Sequence, residues 1–340
     1  MSGRASAFSD QRVIDFIAEH FVPVTTNINH SQHRKDLEGK YFRKIAEQGH
    51  YAGRTKPTAT RQGLYVATVD GHLLASVNSS RADEVLKMMK GGVAKWQQRQ
   101  ALGMAGSEKK VRKKTRLDKN YSVPFPKGGL VLAEVCRDLP RPNNPSFKNW
   151  HHNFDHVWLT REEVAQFKPV STDGKGKPKT ASKGQKYKID EAVIKRLAQF
   201  HFVDQVKGEA SSWDESDVKD AFLNAEVVEV AHGRVKVKLS GRAKCIKPPT
   251  GNRNPFSGTR IDKERGVDLK VSGYLVYKPE ADRFTSFDLV AHGPRWGAAV
   301  YNFRQRDLGP EPIGFAFRLL ETKPENMTQP KFLLWGYYEN

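Results

Sequence analysis

A chain of 340 residues is long enough for two domains, or three, each with its own core. Apolar residues make up 38% and aromatics 10%, which fits a globular protein and argues against wholesale disorder. The net charge of +19 admits an anionic partner such as nucleic acid, an acidic polymer or a membrane surface. No run approaches the roughly 20 apolar residues of a membrane helix, so no membrane role is expected. The start lacks a signal-peptide pattern, because Asp10, Arg12, Asp15 and Glu19 interrupt its apolar positions. A cytoplasmic protein is the default expectation, with export left open should the chain start further upstream. Cys136 and Cys245 stand in no metal-like spacing, which excludes a disulfide-dense scaffold and a cysteine-ligated zinc site. Two free thiols are expected.

Val13, Phe16, Ile17 and Phe21 recur at helical spacing behind Ser9 or Asp10, either of which can cap a helix. "FVPVTTNI" reads as a short strand, and His30 and His33 fall in the loop after it. "KDLEGKYFRKIAEQG" is a second helix with Leu37, Tyr41, Phe42 and Ile45 on one face. Residues 50–61 are polar and irregular. "GLYVATVDGHLLASVN" is a hairpin around Asp70-Gly71, and residues 81–98 form a helix with Val85, Leu86, Met89 and Val93 inward.

This order of elements resembles the thioredoxin fold without its first strand, over roughly residues 5–98. "FSDQRVIDFIAEHFVPVTTNIN" is similar to the helix and strand that follow the reactive centre in bacterial thioredoxin-like proteins, and "QGLYVATVDGHLLASVN" to their closing hairpin. The resemblance implies a C-x-x-C motif at Ser2–Ala7 or upstream of Met1, where a helix N-terminus would lower a thiol pKa. No cysteine lies in Ser2–Ala7, and Gly63 falls where the family carries its cis-proline. A redox-inactive protein is therefore expected.

Past residue 98 the character changes. "GGLVLAEVCRDL" and "DHVWL" read as strands, and Thr160 and Glu163 have capping-box spacing ahead of a short helix. "DEAVIKRLAQF" is a capped amphipathic helix, while "FHFVDQV" fits either its last turn or a strand. Two long hairpins follow, one about His232-Gly233 and one about "PEAD", and "IGFAFRLL" and "FLLWGYY" add one or two strands. The expected fold class is α+β: a thioredoxin-like α/β domain (1–98), a mixed connecting region (99–190) with basic linkers at 105–120 and 171–188, and a mostly antiparallel β-rich domain (191–340) forming a curled sheet, sandwich or partly open barrel.

Three groups of residues could carry function. Asp288, His292, Arg295 and Trp296 lie at the end of a strand, and with Arg304 they could hold an anionic or aromatic ligand. His151, His152, Asp155 and His156 supply imidazole and carboxylate donors suited to a divalent metal. Lys109, Lys110, Arg112, Lys113 and Lys114 form a basic stretch able to contact phosphates. P-loops, Rossmann glycine patterns and serine nucleophile elbows are absent, so no cofactor is expected. A binding or scaffold role, with a protein or anionic ligand as partner, is the leading expectation. The alternatives are an oxidoreductase whose reactive motif lies upstream and a nucleic-acid-binding protein using the basic loops.

Overall fold

The computed structural model describes residues 7–8, 10–50, 60–104, 118, 121, 123–141, 152–169, 171–172, 178–179, 181–251, 253 and 262–338. The chain forms two units, residues 3–124 and 125–340. In the first, α1 (Gln11–His20) is capped by the Asp10 carboxylate, which accepts from the Arg12 amide. After α2 (Ile28–His33), α3 (Leu37–Ala46) starts at Asp36, whose side chain accepts from the Gly39 amide. An antiparallel hairpin of β1 (Leu64–Ala67) and β2 (Leu73–Val77) precedes α4 (Ala82–Ala101). Val13, Val66, Leu74, Val85 and Met89 form its core, with Phe16, Ile17, Phe21 and Leu86 packed around them. Gly92 lets α4 lie close on the hairpin, since a Cβ there would sit 2.9 Å from Val66 Cγ1.

Two expectations fail in this unit. "FVPVTTNI" forms no strand: residues 21–27 lie outside the ladder, with Val22 and Val24 exposed at 90% and 87%. Pro23 has no N–H to donate to a ladder, and β1 and β2 pair only with each other. His30 and His33 sit in α2 rather than a loop, and His30 is buried against Tyr121.

The second unit is built on one sheet. Its elements are β3 (Leu130–Asp138), β4 (His152–Leu159), α5 (Arg161–Gln166), the two-residue pair β5 (Ser171–Thr172) and β6 (Pro178–Lys179), β7 (Lys186–Lys188), α6 (Glu191–His201), β8 (Val218–Ala231), β9 (Arg234–Lys247), β10 (Arg265–Lys278), β11 (Arg283–Trp296) and β12 (Glu311–Leu319). The strand order is β4-β3-β12-β11-β10-β9-β8-β7, antiparallel throughout. β4 and β7 are its two edges, so it is open and neither a closed barrel nor a sandwich of two large sheets. His232 and Gly233 both take positive φ, 51° and 68°, the backbone a two-residue hairpin turn demands.

Strand alternation sorts side chains by face. Val235, Val237, Leu239, Leu269, Val271, Leu275, Phe287, Leu289, Phe315 and Phe317 are buried on the inner face. There α6 packs against β8 and β9, and Phe202 meets Phe315 and Phe317. The capping box forms as expected, with Thr160 Oγ1 accepting from the Glu163 amide and Glu163 accepting from the Thr160 amide.

The expected connecting region is not separate. β3, β4 and β7 are strands of the large sheet, and the 171–188 stretch includes β5, β6 and β7. "FHFVDQV" ends the helix at His201 and continues as a buried loop, not a strand. "FLLWGYY" forms turns instead of a strand; Phe332, Leu333 and Tyr337 are buried, a spacing that strand alternation cannot give. No described helix is long and apolar enough to cross a membrane.

Candidate functional site

On β3, Leu132, Glu134, Cys136 and Asp138 all face inward, so the strand brings two carboxylates into the interior. Glu134 pairs in register with Asp155 of β4. His201, the last residue of α6, closes the group: its Nδ1 lies 2.6 Å from Glu134 Oε2 and its Nε2 2.6 Å from Tyr337 Oη. Tyr337 Oη also accepts from the Trp158 amide at 3.2 Å. Arg196 stacks over the Tyr337 ring at 4.4 Å and binds Glu163 at 2.5 and 2.8 Å. Asp155 accepts from the backbone amides of His156 and Lys331, while Lys331 Nζ donates to Gln205 Oε1 at 2.5 Å.

Burial sets the electrostatics here. It raises the Glu134 carboxyl well above its ordinary range, and the charge of Asp155 adds to that. It pushes Asp155 up to about 6 against the pull of the two backbone amides. It drives His201 well below its ordinary value, with the Arg196 charge adding to the effect. The donor atoms of Glu134, Asp155 and His201 all lie within 4.8 Å of one another, so these three could hold a metal ion.

A second network joins the first through β3 and the buried 202–207 loop. Arg304, fully buried, binds Asp138 at 2.6 and 2.8 Å, Asp204 at 2.8 and 3.0 Å, and Asp307 at 2.8 Å. Arg295, Arg141 and Lys207 also converge on Asp307, at 2.8, 2.9 and 2.6 Å. Burial alone would raise Asp307, but hydrogen bonds from Arg295, Lys207 and Arg141 outweigh it and hold the carboxyl below the usual carboxylate range.

The expected ligand cluster is thus split by the sheet. Arg295 and Arg304 do converge inside, sharing Asp307. Asp288 and His292 lie on the opposite face, because they sit at odd offsets from Arg295 along β11. There Asp288 binds Arg318 and Ser286, and His292 is exposed. Trp296 covers Gly266 and donates to Glu264 at 3.3 Å, away from the arginines' partners. The expected metal quartet does not form either: His152 and His156 face outward on β4 while Asp155 faces inward, and His151 lies outside the described residues. Lys109, Lys110, Arg112, Lys113 and Lys114 lie outside them as well.

The outer face carries a different pattern. Register aligns Phe222 with Arg242, Arg242 with Lys270, Lys270 with His292, His292 with Gly314, Gly314 with Arg137, and Arg137 with His152. This row crosses seven strands, or about 29 Å at roughly 4.8 Å per strand. It holds no carboxylate. Arg242 is bound to Asp268 beside the row, and among the described residues Lys270 and Arg137 form no ion pair. Phe222, Phe154 and Tyr274 expose 46%, 60% and 46% of their surface around it, and Lys236 lies over the Tyr274 ring. Leu139 covers the gap at Gly314.

Both thiols lie inside the second unit. Cys136 on β3 and Cys245 on β9 are buried and unbridged, with three strands between them. Burial raises Cys136 well above its ordinary pKa and lifts Cys245 to about 12. No family model, curated protein or solved structure matches the chain.

Proposed function

We propose that the chain is a non-redox binding protein, with a thioredoxin-like N-terminal scaffold and a β-rich unit whose outer sheet face takes single-stranded nucleic acid. The observation that carries this reading is the carboxylate-free row from Phe222 to His152, with two cations that form no ion pair among the described residues and exposed aromatic rings beside it. Single strands bind β surfaces by such means: cations meet phosphates, and rings stack on bases. A row of about 29 Å accommodates on the order of four nucleotides, the low end of what a single β fold covers. The net charge of +19 supplies the long-range attraction. In the N-terminal unit, α1, the β1–β2 hairpin and α4 share one core and follow one another as the closing elements of the thioredoxin order do, which supports a scaffold of that kind, while the absent strand at 21–27 departs from it. The buried, high-pKa thiols support the absence of dithiol chemistry.

Fluorescence polarisation with a labelled oligo-dT across a salt series tests the ligand. Each phosphate contact contributes a slope of about −0.7 in log K against log salt for a single strand. Lys270→Ala and Arg137→Ala should each weaken binding and flatten the slope by about that amount. Phe154→Ala should weaken it without changing the slope, the mark of a stacking contact. Binding unchanged in all three variants, or heparin displacing nothing while the oligonucleotide fails to bind, would remove this face as the site.

A further inference from the structure

Glu134, Asp155 and His201 come from β3, β4 and the end of α6, and each is fixed by its own element. Glu134 and Asp155 are register neighbours, so two carboxylates share one place in the interior. Among the described residues neither forms an ion pair with an arginine or lysine; Glu134 bonds His201, and Asp155 accepts only backbone amides. Lys331, whose charge is felt by both carboxylates, makes its Nζ hydrogen bond to Gln205 and none to either of them.

We propose that Glu134, Asp155 and His201 bind a divalent transition-metal ion, for which Zn2+ is the best match. One imidazole nitrogen with two carboxylate oxygens suits zinc and its neighbours, whereas calcium takes six to eight oxygen ligands. His201 Nδ1 and Glu134 Oε2, now 2.6 Å apart, share a hydrogen bond. In a tetrahedral site with metal–ligand distances near 2.0–2.1 Å, donor atoms lie about 3.3 Å apart. Loading therefore needs these two groups to move apart by about 0.7 Å, and the three donors already span no more than 4.8 Å. Ligation through Nδ1 leaves the ring proton on Nε2, where Tyr337 Oη lies 2.6 Å away to accept it. The amides of His156 and Lys331 hold Asp155 at 2.8 and 3.1 Å. Both ligating types thus have the outer hydrogen bonds that orient metal ligands in proteins. Three protein donors leave a fourth position for water or a further ligand.

The site is independent of the outer face, and its test is a binding measurement on the full chain. Chelator-stripped protein dialysed against Zn2+ alone should take up about one ion per chain, and its thermal midpoint should rise with Zn2+ concentration. Asp155→Asn and Glu134→Gln should each weaken Zn2+ binding by tenfold or more, while His152→Ala leaves it unchanged. Co2+ in place of Zn2+ should give the visible absorption of a low-coordinate site, lost in Asp155→Asn. Uptake well below one ion per chain by the stripped wild type overturns the proposal whether or not the variants fold. So does full uptake retained in both carboxylate variants, or uptake lost in His152→Ala instead.

Discussion

The two faces of the large sheet are made by the same strands and treat charge in opposite ways. On the inner face, Arg304 is fully buried and spends its whole guanidinium on Asp138, Asp204 and Asp307. On the outer face, Arg318 meets Asp288 at 3.1 Å with 81% of its side chain in water. The bond lengths are alike; the surroundings differ. A charge inside must be matched because no solvent remains to screen it, whereas a charge outside is hydrated whether paired or not. For charges on the strands, such as Asp138 and Arg318, the alternation decides which surroundings they meet, and Arg304 reaches Asp138 from the connection between β11 and β12.

The largest effect that could break this contrast is at Arg304. Arg304→Met removes the guanidinium and keeps an apolar stem, leaving Asp138 and Asp204 buried without their partner. Breaking a buried pair from one side costs about 3–5 kcal/mol. Urea denaturation of the full chain should show a loss of that size. A loss below about 1 kcal/mol would place Arg304 with the solvated charges.

Acid should expose the same network more gently. Asp307 has a depressed carboxyl pKa when folded, against about 3.9 in an unfolded chain. Its contribution is therefore fully present above the unfolded value and is lost as pH falls through the folded one. The urea midpoint of the wild type should drop as pH falls below about 4. Asp307→Asn has no such carboxyl, so its deficit relative to wild type should shrink between pH 6 and pH 3. A deficit that stays constant over that range would mean that folding leaves the Asp307 carboxyl with the proton affinity it has in the unfolded chain.

The features legible in the sequence are those fixed by neighbours along the chain. His232-Gly233 marks its turn, Thr160 and Glu163 their cap, and Val235, Val237 and Leu239 their buried face, because each depends on local backbone geometry. "FVPVTTNI" has the composition of a strand but no partner, and a strand exists only in its pairing. Part of the candidate site was also readable. In "LAEVCRD", Leu132 and Cys136 are in phase with Glu134 and Asp138, so burying the first pair buries the second. The same parity separates Asp288 and His292 from Arg295, which is why one run along β11 serves two faces. What no local pattern reveals is that Asp155 stands beside Glu134, or that His201 and Tyr337 reach them from elsewhere in the chain. Strand register and long-range packing set those contacts.

The smallest expected effect gives the sharpest test of the comparison, since it asks for near silence from a short ion pair. Arg318→Ala removes a 3.1 Å contact only a few tenths of an ångström longer than those inside the sheet, yet Asp288 keeps its hydrogen bond from Ser286 at 2.7 Å and about half its side chain stays in water. Exposed pairs measured by double-mutant cycles contribute about 0.2–1 kcal/mol, because water replaces most of what is lost. The urea midpoint should move within that range, and 0.5 M salt should reduce the difference further by screening. Arg318 lies on the same face as the cation row, four residues along β12 from Gly314, so the same substitution should also weaken oligonucleotide binding, by less than Lys270→Ala does. A stability loss approaching that of Arg304→Met would mean that the outer face is covered in solution, and the row upon it would then be closed to any ligand.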